Sequence, residues 1–441
     1  MIMYNDCAAI IIPKKERKEH TMDKLFIPGD ILLPKNLDLG LWSVIACDQF
    51  TSQPEYWDQV DQKVGSAPST LRLILPEAYL ESKDVEEEAE KINHTMAKYL
   101  KDEIFTSVPD SYIYIERVLT DGGLRRGLLG LIDLEAYDYK PNSSSPVRAT
   151  ERTVEERLPP RVRVRARADI ELSHIIVFVD DPDDTVFKAL AEDETLYDFE
   201  LMYGGGRIKG SRVCGAAANK VQEALARLSD PEHLKKRYAL DGKAPVVIAM
   251  GDGNHSLAAA KLYWEEMKKE FRHSPEKLEN SPARFGLAEL VNIHDSTVVF
   301  EPIHRVIFGT KPDQFFEKAR EFFKNANAPG ESSHEITLSR GGQREDIKLT
   351  GLTIGDVVSV VQKFCEEYAS AHGGRIDYIH DNDTALEMSD RAGCSGLLLP
   401  AMDKSELFGS VMKSGVFPAK SFSIGPARDK RYYLECRKIK D

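Results

Sequence analysis

The chain has 441 residues, 42% of them hydrophobic and 30% charged, a balance typical of a globular protein with two or three domains and unlike disordered or membrane-spanning chains. Its formal net charge of −13 disfavours nucleic-acid binding, which needs a basic surface, and no apolar run approaches the roughly 20 residues that cross a bilayer. Six scattered cysteines (Cys7, Cys47, Cys214, Cys365, Cys394 and Cys436) include no CxxC pair, which argues against structural zinc and a disulfide framework and suits a reducing cytoplasm.

Residues 1–21 read as an N-terminal extension, because an apolar patch precedes Lys14, Lys15, Arg17 and Lys18, the reverse order of a secretory signal. An N-terminal α/β region is expected over 22–170. In it, IPGDILLP and LWSVIACDQF are strand-like, and the second delivers Asp48, a candidate general base or a turn-former. SKDVEEEAEKINHTMAKYLKDEIF predicts an amphipathic helix with Ser82 as N-cap, and TDGGL joins SYIYIERVL to RRGLLGLIDLEAY as a hairpin. RATERT sets Glu151 between Arg148 and Arg152, either as a salt-bridged surface or as a low-pKa carboxylate near an anion site. RLPPRVRVRARADIEL brings Arg157, Arg161 and Arg165 to one face as a helix, or Arg161 through Arg167 to one side as a strand. Such a concentration of charge is a salt-bridged surface or a wall for a small anion.

A central region is expected over 171–310. The strand ELSHIIVFV, the turn DDPDD, a helix, the hairpin FELMYGGGRIKGSRVC and the helix AANKVQEALARLSD lead to VVIAMGDGNHSLAAAK. There a β-branched run ends at Met250, and apolar residues resume at helical spacing as Leu257, Ala260, Trp264, Met267 and Phe271, which predicts a strand-turn-helix corner. Gly251 and Gly253 permit close backbone approach and positive φ, and Asn254 or Ser256 can cap the helix. Unpaired N–H groups at such a helix start favour a phosphate. Asp252 is compatible with that phosphate if it holds Mg²⁺ or accepts a hydroxyl proton, and His255 can donate to a phosphoryl oxygen or shuttle a proton. The corner is therefore either a capped turn or a phosphate site.

EPIHRVIF then offers His304 and Arg305, a pair suited to phosphate or to a structural role. In the C-terminal α/β region, 311–441, VFPAKSFSIGPARDKRYY holds Lys420, Ser421 and Ser423 between prolines, and YIHDND reads as a turn. Mixed strands, hairpins and packed helices make the fold class α+β.

Taken in order, ACDQFTSQPEYW, RATERT, GDGNHSLAAA, EPIHRV and FPAKSFSIGP resemble the motif set of the DUF1015 family, from about residue 25 to the end. The corner is also similar, more distantly, to that of the ParB/sulfiredoxin-like nucleotide-binding fold, one branch of which phosphorylates free serine. The resemblance implies a ParB/sulfiredoxin-like strand-turn-helix core with additional α/β elements. Asn254 and Ser256 stand where it leads one to expect His and Arg, and Thr150 where it leads one to expect His. The anion's counter-charge is then to be sought in Arg305, Lys420 or the arginine segment.

The resulting expectation is a cytoplasmic phosphotransferase acting on a small hydroxylated metabolite, most specifically free serine or phosphoserine, with Mg²⁺ and a nucleotide or other phosphate donor. Asp252, His255, Glu151 and Asp48 are the expected catalytic residues, with Asp252 also the metal ligand. Gly251, Gly253, Asn254, Ser256, His304, Arg305, Lys420 and Ser421 are expected to hold the donor. A phosphoserine phosphatase-like hydrolase and a non-catalytic nucleotide-binding regulatory protein are the alternatives.

Overall fold

The computed structural model describes residues 25–80, 82–190, 194–240, 242–309 and 314–440. The expected extension over 1–21, with Cys7, lies outside them. Among the described residues no helix is long and apolar enough to cross a membrane.

The fold is mixed α+β. A 13-stranded sheet has as its main path Tyr137–Asp138, Val147–Arg148, Ile248–Asp252, Ile175–Val179, Phe285–Asn292, Leu124–Asp133, Phe105–Val118, Gly29–Pro34, Cys436–Lys438 and Ile170–Leu172. Ile175–Val179 is parallel to Phe285–Asn292 and antiparallel to Ile248–Asp252, so the sheet is mixed at the strands that carry the corner. It crosses the expected boundary at 170. A separate five-stranded sheet begins with His304–Phe308, close to the expected boundary at 310, and packs on the helix Ile354–His372.

The strand Ile175–Val179 is buried throughout because both its faces are covered. Ile175, Val177 and Val179 join a core with Leu257, Ala260 and Trp264 of the helix Asn254–Glu270, whereas Ile176 and Phe178 join one with Val291, Val298 and Phe417. The helical spacing read from Leu257 onward is thus the side that docks on the sheet. Ala258 and Ala259 meet Leu158 and Val162, which brings the arginine segment against the corner.

Three local expectations are corrected. LWSVIACDQF forms the short helix Leu39–Trp42 and a single bridge at Ile45, because Asp38 accepts the Gly40 and Leu41 N–H groups and starts a turn. Asp84, not Ser82, caps the helix Val85–Lys101; the Ser82 hydroxyl donates to the Tyr79 carbonyl instead. YIHDND is less a turn than a helix start, with Asp381 capping Asn382–Ser389.

The arginine segment is the helix Leu158–Arg167, which begins on two prolines, residues well suited to a first helical turn. Arg161 pairs with Glu77, Arg163 with Glu86, Arg165 with Glu171, and Arg167 with Glu86 and Glu90. Ion pairing to neighbouring acids is therefore its main fate.

One buried network positions the C-terminal segment. Arg431 meets Glu289 at 2.7 Å and Glu435 at 2.5 Å, all three side chains buried, and Tyr197 donates to Glu435. A Cβ at Gly127 would lie 2.1 Å from Glu289 Oε1, so only glycine leaves room for this pairing. With Arg431 held, the preceding residue, Lys430, is held as well.

Candidate functional site

The strand Ile248–Asp252 ends beside Ile176, and Gly253 turns the chain at φ 75° into the helix Asn254–Glu270. Gly253 lies so close to Ile175 that a Cβ would sit 3.0 Å from its side chain. Neither Asn254 nor Ser256 caps the helix, contrary to expectation: Gly253 occupies the cap position, and both side chains turn sideways. Asn254 donates to the Glu151 carbonyl at 3.2 Å and to Thr153 Oγ1 at 3.0 Å, and Tyr137 donates to it. Ser256 Oγ lies 3.0 Å from His174 Nε2.

Asp252 is the electrostatic centre. Its Oδ1 accepts the Gly253 N–H at 2.9 Å and its Oδ2 lies 3.2 Å from Lys430 Nζ. Burial opposes ionisation, but Lys430, the Gly253 N–H and His174 outweigh it and hold the carboxyl below its ordinary value. Burial lowers the His174 pKa against the pull of Asp48 and Asp252. Asp48 acts on this group only as a nearby charge, its own carboxylate accepting from the Gln49 side chain, while Cys47 accepts a hydrogen bond from Tyr433, whose ring lies 5.1 Å from His174. Burial pushes the Cys47 thiol up to about 11, so it stays protonated near neutral pH.

His255 accepts the Val154 N–H at Nε2, and burial with Arg161 and Arg157 nearby takes its pKa down to about 4. It is a neutral imidazole with one nitrogen already engaged, which narrows the expected proton-shuttle role to the other nitrogen.

A second cluster adjoins the first through Asn254. Glu151 Oε1 accepts the Ser421 N–H at 2.9 Å and the Phe422 N–H at 3.4 Å, where Lys420 adopts φ 58° and folds the backbone around the carboxylate. Burial raises Glu151 to about 7, against these N–H groups and Arg305. Glu151 is thus neither the salt-bridged nor the depressed carboxylate of the two alternatives expected: it forms no ion pair among the described residues, and burial raises it. Arg305, fully buried, donates to Ile303 and Gln362, and Arg305 and Lys420 both lie over the Tyr378 ring. His304 faces away, its Nδ1 accepting the Leu399 N–H.

The structure therefore gathers Asp252 and Ser256 into one centre, with Asp48 only a nearby charge, and Glu151, Arg305, Lys420 and Ser421 into another. His174 and Lys430 were missed by sequence reasoning. Each is a single residue in an otherwise ordinary segment, HIIVFV and ARDKRYY, without local spacing to mark it. Among the described residues no three His, Cys, Asp or Glu side chains converge as a metal-ligand set. Asp252 alone matches Mg²⁺ only in the mode in which one carboxylate shares the ion with substrate phosphates.

A profile described as "Protein of unknown function (DUF1015)" matches residues 30–362. No curated protein matches significantly. Among solved structures, a conserved hypothetical protein from Pyrococcus furiosus is 12% identical with a TM-score of 0.31, covering 70% of this chain and 94% of its own. SbnI with a C-terminal truncation, from Staphylococcus aureus, is 10% identical with a TM-score of 0.33, covering 67% and 82%. A free serine kinase in complex with AMP is 12% identical with a TM-score of 0.33, covering 70% and 90%. At these scores the likenesses assign no activity to this chain.

Proposed function

The chain belongs to the DUF1015 family, and from that premise we propose that it is a phosphotransferase acting on a small hydroxylated metabolite, with free serine the first acceptor to try and a nucleotide or other phosphate donor. The observation that carries this reading is the Asp252–Lys430 pair at the start of a 17-residue helix, beside the Ser256–His174 contact. The early N–H groups of that helix favour an anion, and Lys430, with Arg157 and Arg161 toward His255, supplies positive charge.

In this reading the acceptor hydroxyl oxygen forms the new bond to phosphorus as the bond from phosphorus to the donor's leaving oxygen breaks. Asp252, held ionised, accepts the hydroxyl proton, and Lys430 and the helix start stabilise charge on the phosphoryl oxygens. Mg²⁺ entering with the donor's phosphates would supply further charge neutralisation, with Asp252 its one protein ligand. Asp48 adds negative charge near His174, and Glu151, titrating near neutrality, is the alternate base.

The test is incubation of the protein with serine, Mg²⁺ and each of ATP, ADP and pyrophosphate, with phosphoserine followed by ³¹P NMR. Phosphoserine formation that Asp252→Ala abolishes, with donor affinity kept, is the expected outcome. Product from none of the donors sinks the proposal. Phosphate release from phosphoserine without any donor would instead identify a hydrolase, and donor binding without turnover a regulatory protein.

A further inference from the structure

On the Ile176 and Phe178 side of the sheet lies a cavity of about 150 Å³ that no part of the proposed phosphoryl transfer uses. It borders the Asp252–Lys430 centre: Ile176 is the ladder partner of Asp252, and Asp429, in the cavity wall, precedes Lys430. A cavity of about this volume has room for a benzene-sized molecule.

Its floor is apolar, made by Ile176, Phe178, Val298 and Ile424. Its outer residues are unusual in two ways. Val299, 52% exposed, lies in the wall and Leu124, 45% exposed, adjoins the wall residue Arg125; these are the exposed large hydrophobic side chains among the described residues. Asp121 and Glu301 are exposed carboxylates in the same wall, and neither forms an ion pair among the described residues. Deeper in, Asp429 is buried and accepts from the Thr120 N–H and hydroxyl, and the buried Arg125 donates to the Asp429 carbonyl.

The wall therefore holds three carboxylates against one guanidinium, around an apolar floor. A simple organic anion would be repelled at the mouth, and a neutral hydrocarbon would gain nothing from the two outer carboxylates. Nε and Nη2 of Arg125 are buried without hydrogen-bond partners, so the guanidinium keeps two donor nitrogens free.

We propose that this cavity binds a small organic ammonium compound, its apolar body on Ile176 and Phe178 and its cationic nitrogen between Asp121 and Glu301. The ammonium group can come from a plain amine or from an apolar amino acid, whose carboxylate would in addition meet the Arg125 side. The site stands independently of the phosphotransfer reading, since its readout is binding and involves no phosphate.

Titration calorimetry and thermal shift with isobutylamine, leucine and isovalerate, at constant ionic strength and pH 7.5, test it. Isobutylamine and leucine bind and raise the melting temperature, and isovalerate does neither. Leucine tighter than isobutylamine identifies the amino acid as the class of ligand, and equal affinities identify the amine. The double variant Asp121→Asn, Glu301→Gln changes exposed side chains only, keeps the fold, and weakens binding about tenfold. Isovalerate binding as well as the amine, no binding by either ammonium compound, or an unchanged affinity in the double variant each overturns the proposal.

Discussion

Asp252 and Glu151 are carboxylates at adjoining clusters, joined through Asn254, yet they are tuned in opposite directions. Asp252 has a lysine at 3.2 Å and stays ionised despite burial. Glu151 receives backbone N–H groups but no cation contact, and burial takes it up to about 7. A lysine in contact, with one N–H and a nearby imidazole, outweighs desolvation, whereas backbone N–H groups and a guanidinium out of contact do not. The first cluster thereby presents a carboxylate that is ionised at neutral pH, the second one that titrates near neutrality.

The comparison breaks most completely when Lys430 is removed. Lys430→Met leaves Asp252 without its counter-charge, and about 2–3 kcal/mol of stability is lost at pH 7. Asp252 titrates lower folded than unfolded, so the pair's contribution is present above about pH 4 and disappears as pH falls through the folded value. Urea denaturation of both proteins at pH 7 and at about pH 2 should therefore show a large difference at the first and a smaller one at the second. An equal difference at both would mean the pair contributes no charge-dependent stability.

Glu151→Gln sharpens the contrast from the other side. Glu151 is raised from 4.5 to about 7, so between those values the folded chain keeps a proton that the unfolded chain has released. Its contribution to stability consequently falls as pH rises through that window, and the glutamine variant gains on the wild type, by up to about 2–3 kcal/mol above pH 7. Denaturation midpoints at pH 5 and pH 8 check this; a variant that loses ground at pH 8 contradicts the raised value.

The smallest effect is expected at the turn that feeds the Asp252 centre. Gly253→Ala puts a side chain at φ 75° and against Ile175, costing about 1–2 kcal/mol while leaving the Glu151 cluster's pH dependence unchanged. A stability profile measured from pH 5 to 8 separates the two: a parallel downward displacement is expected, and a change in its slope would show that the clusters titrate together.

Much of the corner was legible in the residues themselves. The change from a β-branched run to apolar residues at helical spacing marks where strand gives way to helix, and the Gly-Asp-Gly between them marks the turn. The hairpins at TDGGL and GGGRIKG were legible for the same local reason. The arginine segment was not decided, because its spacing suits both a helix and a strand; packing of Leu158 and Val162 on Ala258 and Ala259 goes with the helix.

The residues by themselves determined the α+β class, the strand-turn-helix corner and the presence of Asp252 within it, since periodicity and turn chemistry act over a few neighbouring residues. Only the tertiary structure decided which charges meet there. Lys430 reaches Asp252 because the neighbouring Arg431 is locked between Glu289 and Glu435, and His174 reaches Ser256 because Ile175–Val179 lies beside Ile248–Asp252 in the sheet. Those contacts join positions far apart in the chain, where sequence spacing carries no information and strand order and buried ion pairing set the distances.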